Sequence, residues 1–308
     1  MAPSAGAANR NVLFGLGLET GVGEVGALLE HAVAADRDGL DLVTLSDHPY
    51  FGDRLDAYAA LGVVLGRTAT ITGAVNVTNL PSRPAPMLAR TIAGLSVLSG
   101  GRVALGIGAG GLWPEITKLG VQALSPAAAV RAMEEAITVV RALCGGGAPV
   151  TFEGEFYSVA GLVPAAVPAP PIWTGSVGPR SLAVTGRCAD GWIPGHAADW
   201  LSSRFATSRP IVDQAAITAG RDPSSVATIY NFPGRITTAP LPATRDGDGR
   251  WIGGSVRQWV DELTDAVLAH GAAGFVYFGV DGDASDVARG TWARDIVPAV
   301  REAVSATV

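Results

Sequence analysis

Two glycine-rich stretches and a set of polar residues are where this sequence could do chemistry. GIGAGG, residues 106 to 111, has the spacing of a dinucleotide-binding turn, in which backbone N–H groups opening a helix hold a pyrophosphate. The flanking residues do not supply the rest of that device. Pro114 interrupts, the next strong helical pattern waits until Ser125, and the acids about 20 residues on, Glu134 and Glu135, fall inside that helix. The second stretch, TGSVGPRSLAVTGRC from Thr174, places a small Gly/Ser loop before a helix carrying Leu182 and Val184. Free N–H groups of a first turn, the helix dipole and the Ser176 hydroxyl would together suit an anion such as phosphate, although an ordinary tight turn has the same composition. Arg180 and Arg187 could add positive charge there, with Arg187 expected to pair with Asp190 instead.

Short β-branched runs alternate with longer helical patterns along the chain. Strands are expected at Val12 to Leu18, Asp41 to Leu45, Ala69 to Val77, Val103 to Ile107, Pro171 to Thr174, Gly191 to Pro194, Val226 to Phe232 and Gly274 to Phe278. Between them, Val130, Met133, Ile137, Val140 and Cys144 recur at helical spacing behind Ser125 as N-cap and Pro126 at the first helical position. Ser255 and Gln258 have the spacing of a capping box at the head of another helix. Eight strands, each followed by a helix, point to a (β/α)8 TIM barrel, with a doubly wound sheet as the alternative. A barrel keeps its chemistry at the C-terminal ends of its strands. There the sequence has Glu19, then Ser46-Asp47-His48, Asn76 to Asn79, Gly175 to Gly178, Gly195-His196 and Asn231. Asp47 and Asn79 could equally be ordinary loop and capping residues. In this setting GIGAGG crosses onto the catalytic face, where glycines let backbone approach a flat ligand.

The expected organisation is one domain over residues 1–308, with insertions at about 145–170 and 233–254. The first contains a hairpin-like VTFEGEFYSV; the second, with LPATRDGDGR, is polar and long enough for a lid or a disordered insertion. Of the 308 residues 48% are apolar and 16% charged, net charge is −6, and no basic run appears, which argues against a nucleic-acid partner. No uninterrupted apolar segment is long enough to span a membrane, and MAPSAGAANRN lacks a signal-peptide pattern, so a cytoplasmic protein is expected. Cys144 and Cys188 have no metal or C-x-x-C spacing and are read as reduced structural thiols, and no metal site is expected.

Taken together, LSDHPYF, ITGAVNVTNLPSRPAPMLARTIAGLSVLSGGRVALGIGAG, PPIWTGSVGPRSLAVTGRCADGWIP and HGAAGFVYFGV resemble the bacterial luciferase-like oxidoreductases, especially the branch that uses the deazaflavin coenzyme F420. The resemblance runs over essentially the whole chain. It implies F420 as cofactor, with FMN as the alternative, a small-molecule substrate, and a homodimer paired through barrel helices. It implies that Asp47 and His48 lie beside the coenzyme ring as the catalytic pair, with His48 as the first-choice catalytic group or as a residue that only positions the ring. It further implies a cis peptide at Ala74-Val75, or failing that Val75-Asn76, in a third-strand bulge pressing on the ring. Gly108, Ala109 and Gly110 would approach the ring or ribityl chain, and Thr174, Gly175, Ser176, Val177 and Gly178 would hold the phosphate.

One departure bears on the substrate. The family's sugar-phosphate dehydrogenases have a glutamate just after the fourth-strand glycines, where this chain has Gly111, and Glu115 lies too far along the loop to stand in for it. Tyr50, Phe51, Trp113, Trp192 and Phe232 suggest an apolar pocket instead. The expected activity is therefore F420-dependent hydride transfer with a small, hydrophobic substrate. An FMN-dependent monooxygenase and a non-catalytic flavin-binding protein are the alternatives.

Overall fold

Strands form at all eight expected places, because each run alternates side chains between two apolar environments. The computed structural model describes residues 12–279 and 286–307; MAPSAGAANRN and Val280 lie outside the described residues. In chain order the elements are β1 (Leu13–Leu18), α1 (Val25–Arg37), β2 (Leu42–Leu45), α2 (Ala57–Arg67), β3 (Thr72–Asn79), α3 (Ala85–Ser99), β4 (Val103–Gly108), α4 (Trp113–Ile116), α5 (Pro126–Ala142), β5 (Val150–Glu153), β6 (Ser158–Leu162), β7 (Ile172–Thr174), α6 (Pro179–Cys188), β8 (Gly191–Trp192), α7 (Ser203–Thr218), β9 (Ala227–Pro233), β10 (Arg235–Thr237), β11 (Gly253–Ser255), α8 (Val256–Leu268), β12 (Gly274–Phe278), α9 (Asp286–Thr291) and α10 (Val297–Ser305). β1, β2, β3, β4, β7, β8, β9 and β12 close in that order into a parallel barrel. Because β1 pairs with both β2 and β12, the ring has no edge, which excludes a doubly wound sheet.

Alternation along the strands divides the core in two. Leu42, Ala74, Ala104, Trp173, Ile193, Ile229 and Val276 fill the lumen. Val43, Leu45, Val75, Leu105 and Phe275 pack outward beneath the helices. Helix starts follow the local signals: Ser125 Oγ accepts from Ala128 N–H ahead of Pro126, and Ser255 with Gln258 forms the full capping box. Cys144 and Cys188 are free thiols.

Both insertions are tied down. β5 and β6 form the antiparallel hairpin, and Glu135 of α5 accepts the N–H groups of Glu155, Phe156 and Tyr157 between them. The 233–254 segment is neither disordered nor a free lid. Its β10 and β11 pair, and Trp251 is buried, stacked on Phe232 and edge-on to Trp259. Arg245 bonds both Asp199, at 2.6 Å, and Glu262. Aromatic burial outweighs the polar composition that reads as a loop. Among the described residues no helix is long and apolar enough to cross a membrane.

Candidate active site at the barrel mouth

Each strand delivers its last residues to one rim, and the C-terminal extension of β2 brings Asp47 and His48 there with opposite fates. The Asp47 side chain is completely buried. Its carboxylate accepts Arg83 Nε at 2.8 Å, Arg83 Nη2 at 2.6 Å and the Asn79 N–H at 2.9 Å. Arg83 also donates to Asp56, which caps α2, and lies over the Tyr58 ring. Every acceptor direction of Asp47 is thus turned into the protein, so the carboxylate anchors the β2 loop to the segment after β3. Arg83 is the residue the sequence reading missed. Its only signal was an arginine beside a proline in SRPAP, 36 positions away from its partner.

His48 is half-buried and faces the mouth. Its Nδ1 lies 2.7 Å from Tyr50 Oη, and the Tyr50 and Phe51 rings flank the imidazole. Burial pulls its pKa below the ordinary histidine value; the Asp47 charge acts against that shift and the Arg54 guanidinium with it. The imidazole is therefore neutral at neutral pH, with Nε2 as the ring atom not engaged by Tyr50.

β3 carries a bulge, but not where expected. Ala74 and Val75 are buried in the lumen and the outer core, so neither side chain reaches the rim. The register shifts between Val75 and Thr78, and the cis peptide is Asn76-Val77, replacing the expected Ala74-Val75 or Val75-Asn76. Strand alternation commits Ala74 and Val75 to the two cores, which leaves Asn76 and Val77 to form the irregular segment. Val77 leans across the mouth onto glycines of two other strands. A Cβ on Gly108 would stand 2.9 Å from Val77 Cγ2, and one on Gly175 would stand 3.0 Å from the same atom. Beyond this cradle, Ala109 packs against the outer core and Gly110 turns toward Pro81 and Trp113 with φ of 95°, which glycine adopts without Cβ conflict. Gly111 has open space around it, and Glu115 is held by Lys118 at 2.7 Å.

The loop after β7 is built differently from its expected role. Thr174 and Ser176 are buried, and their hydroxyls join Thr185 in a cluster with separations of 2.6 to 3.3 Å. Ser176 Oγ therefore points beneath the loop, and its carbonyl accepts Trp192 Nε1–H. What faces outward is the exposed Val177, then Gly178 and the start of α6, where no side chain caps the first turn. Arg180 is exposed beside it and carries no ion pair among the described residues. Arg187 does not pair with Asp190. It reaches Glu134 on α5, and Asp190 is taken by Arg141 and the Ile172 N–H, because α6 packs its last turn on α5.

The aromatic expectations split as well. Tyr50, Phe51 and Trp113 stand at the rim, whereas Trp192 and Phe232 are buried outside the barrel wall, Trp192 against Phe205 and Phe232 among Trp200, Trp251 and Trp259. Glu19 is exposed 3.5 Å from Arg54. His196 is exposed with φ of 60°. Among the described residues no group of histidine, cysteine, aspartate or glutamate could hold a metal ion.

The fold is thus a closed parallel (β/α)8 barrel whose mouth carries a third-strand bulge, facing glycines and an uncapped helix start. The sequence model for luciferase-like monooxygenases matches residues 11–237, and the chain belongs to that family. An F420-dependent glucose-6-phosphate dehydrogenase of Microbacterium testaceum is 32% identical over 212 residues, covering 66% of this chain and 62% of that enzyme. A 5,10-methylenetetrahydromethanopterin reductase of Methanolobus tindarius is 30% identical over 202 residues, covering 65% and 58%. The chain thus spans less than two thirds of the length of each. Among solved structures, an F420-dependent secondary alcohol dehydrogenase in complex with an F420-acetone adduct superposes with a TM-score of 0.77 at 20% identity, over 94% of this chain and 99% of that one. A type II Baeyer-Villiger monooxygenase from Pseudomonas putida in complex with FMN gives 0.72 at 17%, over 93% and 98%.

Proposed function

We propose that this chain is an F420-dependent oxidoreductase that moves hydride between the deazaflavin and a small, mostly apolar organic substrate. The observation that carries the reading is the cradle: Gly108 and Gly175, on β4 and just past β7, leave room for a bulge side chain and a flat ring where any Cβ would intrude. The other parts fit the same group. The uncapped N-terminus of α6 offers N–H donors and a positive dipole end to a phosphate, with Gly178 admitting close approach. Neutral His48 stands at the rim.

When bound, the deazaflavin supplies two-electron hydride chemistry. The chain's own residues would do the rest: Val77 and the glycines would orient the ring, Tyr50 and Phe51 would shield His48, and His48 would hand a proton to the substrate oxygen in the reducing direction and take it back in the oxidising one. Asp47 positions that loop from behind. Relatives named as F420-dependent enzymes support the coenzyme. Glu115 is tied to Lys118 and Gly111 has no side chain, which favours an uncharged substrate over a sugar phosphate. The second reading is an FMN-dependent monooxygenase on the same mouth, favoured by the FMN-bound structural relative. Mixing reduced F420 with small ketones in a single turnover tests the activity: the leading reading expects coenzyme oxidation that needs the protein, and reaction only of reduced FMN with oxygen would transfer the site to the second.

A cytoplasmic homodimer belongs to the same reading. Val63 on α2 and Met87, Val97 and Leu98 on α3 are all more than half exposed, a strongly apolar helix surface for a free monomer. Leu98→Glu is expected to reduce the mass seen by light scattering; an unchanged mass would remove these helices from the interface.

A further inference from the structure

The lumen is closed at its upper end by one polar contact across its width. Asn76 Nδ2 donates to Asn231 Oδ1 at 2.7 Å, and the reverse N–H reaches Asn76 Oδ1 at 3.5 Å. β3 and β9 stand on opposite sides of the ring, separated by β4, β7 and β8 on one side and β2, β1 and β12 on the other. Beneath the pair lies the apolar layer of Leu42, Ala74, Ala104, Trp173, Ile193, Ile229 and Val276. Strand alternation puts both amides on the inward face, two residues beyond Ala74 and Ile229, where each meets the other across the mouth.

Asn76 needs that partner. β2 pairs with β3 only as far as Leu45 opposite Val75, and β4 pairs with Val75 and then with Thr78. The register thus sets Asn76 and Val77 together against the single Gly106 of β4 and leaves them without a partner on β2. Segments that lose their ladder bonds are free to move unless a side chain replaces them. Asn231 supplies the replacement from 155 positions away.

We infer that Asn231 is a positioning residue for the coenzyme. Its carbonyl holds the Asn76 amide, which fixes the bulge so that Val77 seats between Gly108 and Gly175 and presents one defined surface to the ring. This rests on the coenzyme-binding reading above and adds to it a residue with no place in that chemistry.

A conservative and a disruptive change at one position give the test. Asn231→Asp retains an acceptor for the Asn76 N–H, whereas Asn231→Leu, of similar bulk, offers Asn76 neither donor nor acceptor. Binding of F420 to purified protein is followed by fluorescence, and the absorbance spectrum of the bound coenzyme is recorded for each. Asn231→Asp is expected to stay within about threefold of wild-type affinity with an unchanged bound spectrum. Asn231→Leu is expected to bind about tenfold more weakly or worse, with the spectrum moved toward that of free coenzyme. Asn76→Ala, which removes the bond from the other side, is expected to match Asn231→Leu in affinity and spectrum. Equal effects of Asn231→Asp and Asn231→Leu, or wild-type values in both Asn231→Leu and Asn76→Ala, would overturn the inference while wild-type binding leaves the coenzyme reading standing. A wild type that binds neither F420 nor FMN would overturn both.

Discussion

Arg83 grips the wholly buried Asp47 carboxylate through two N–H groups while a third acceptor contact comes from the Asn79 backbone. Removing Arg83 leaves a buried carboxylate with the Asn79 N–H but no counter-charge. Arg83→Leu is therefore expected to cost about 3 kcal/mol or more in urea unfolding. A loss under about 1 kcal/mol would mean that the Asp47 anchor is an ordinary surface pair.

This anchor also shows where the sequence was legible and where it was not. The eight strands could be read because each carries its own period-two pattern over a few residues, and the α5 and α8 starts because Ser125 and Ser255 signal locally. The grip of Arg83 on Asp47 and the bridge between Asn76 and Asn231 join residues 36 and 155 positions apart, and no local pattern encodes such a meeting. The bulge lay within reach but two residues off, since an extra residue in a strand does not disturb the apolar alternation before it. Ser176 misled for a different reason. A serine in a Gly-rich loop reads as facing a ligand, yet Thr174 and Thr185, hidden beneath the loop, take its hydroxyl. Trp192 and Phe232 were placed in the pocket by type alone, and strand alternation turns both outward.

Asp36 gives the fold an acid-sensitive joint at the end of α1. Burial raises its pKa, but the Thr70 hydroxyl and the N–H groups of Ala69, Thr70 and Ile71 bring it down to about 2. The folded value lies below the unfolded one of about 3.9, so the stabilisation is complete above that value and is lost as pH falls toward 2. Asp36→Ala should destabilise by about 1–3 kcal/mol at neutral pH, with the gap to wild type narrowing in acid. A gap that stays constant down to about pH 3 would contradict the linkage.

Gly178→Asp separates anion binding from helix stability. Gly178 is extended, with φ of −90° and ψ of 155°, and a Cβ there meets nothing closer than Ser181 Oγ at 3.9 Å. An aspartate would cap α6 and raise stability by a few tenths of a kcal/mol, about the difference between good caps and glycine. It would also set a carboxylate at the proposed phosphate site, and coenzyme affinity should fall at least about tenfold at low salt. Affinity that survives a melting temperature equal to or above wild type would move the phosphate elsewhere.

His48 should set the acid limb of the pH profile. Its lowered pKa keeps the imidazole neutral, and as pH falls the ring gains a proton only below the ordinary histidine value of about 6.5. Turnover in the oxidising direction, where His48 takes a proton, is expected to fall through that lower range, and His48→Ala should abolish the limb while reducing turnover by about 10²- to 10⁴-fold with little change in coenzyme affinity. Parallel losses in turnover and affinity would instead make His48 a ring-positioning group.

The most direct test of the central claim is a paired titration of the purified wild-type protein with F420 and with FMN, each repeated on Gly108→Val and Gly175→Val. A side chain at either glycine meets Val77 and intrudes on the cradle. The account predicts saturable binding of F420, weaker binding of FMN, and loss of F420 binding by about tenfold or more in both variants while the fold persists by circular dichroism. Wild-type affinity retained in both folded variants would contradict the placement of the coenzyme at the barrel mouth, and tight FMN binding with none of F420 would contradict its identity.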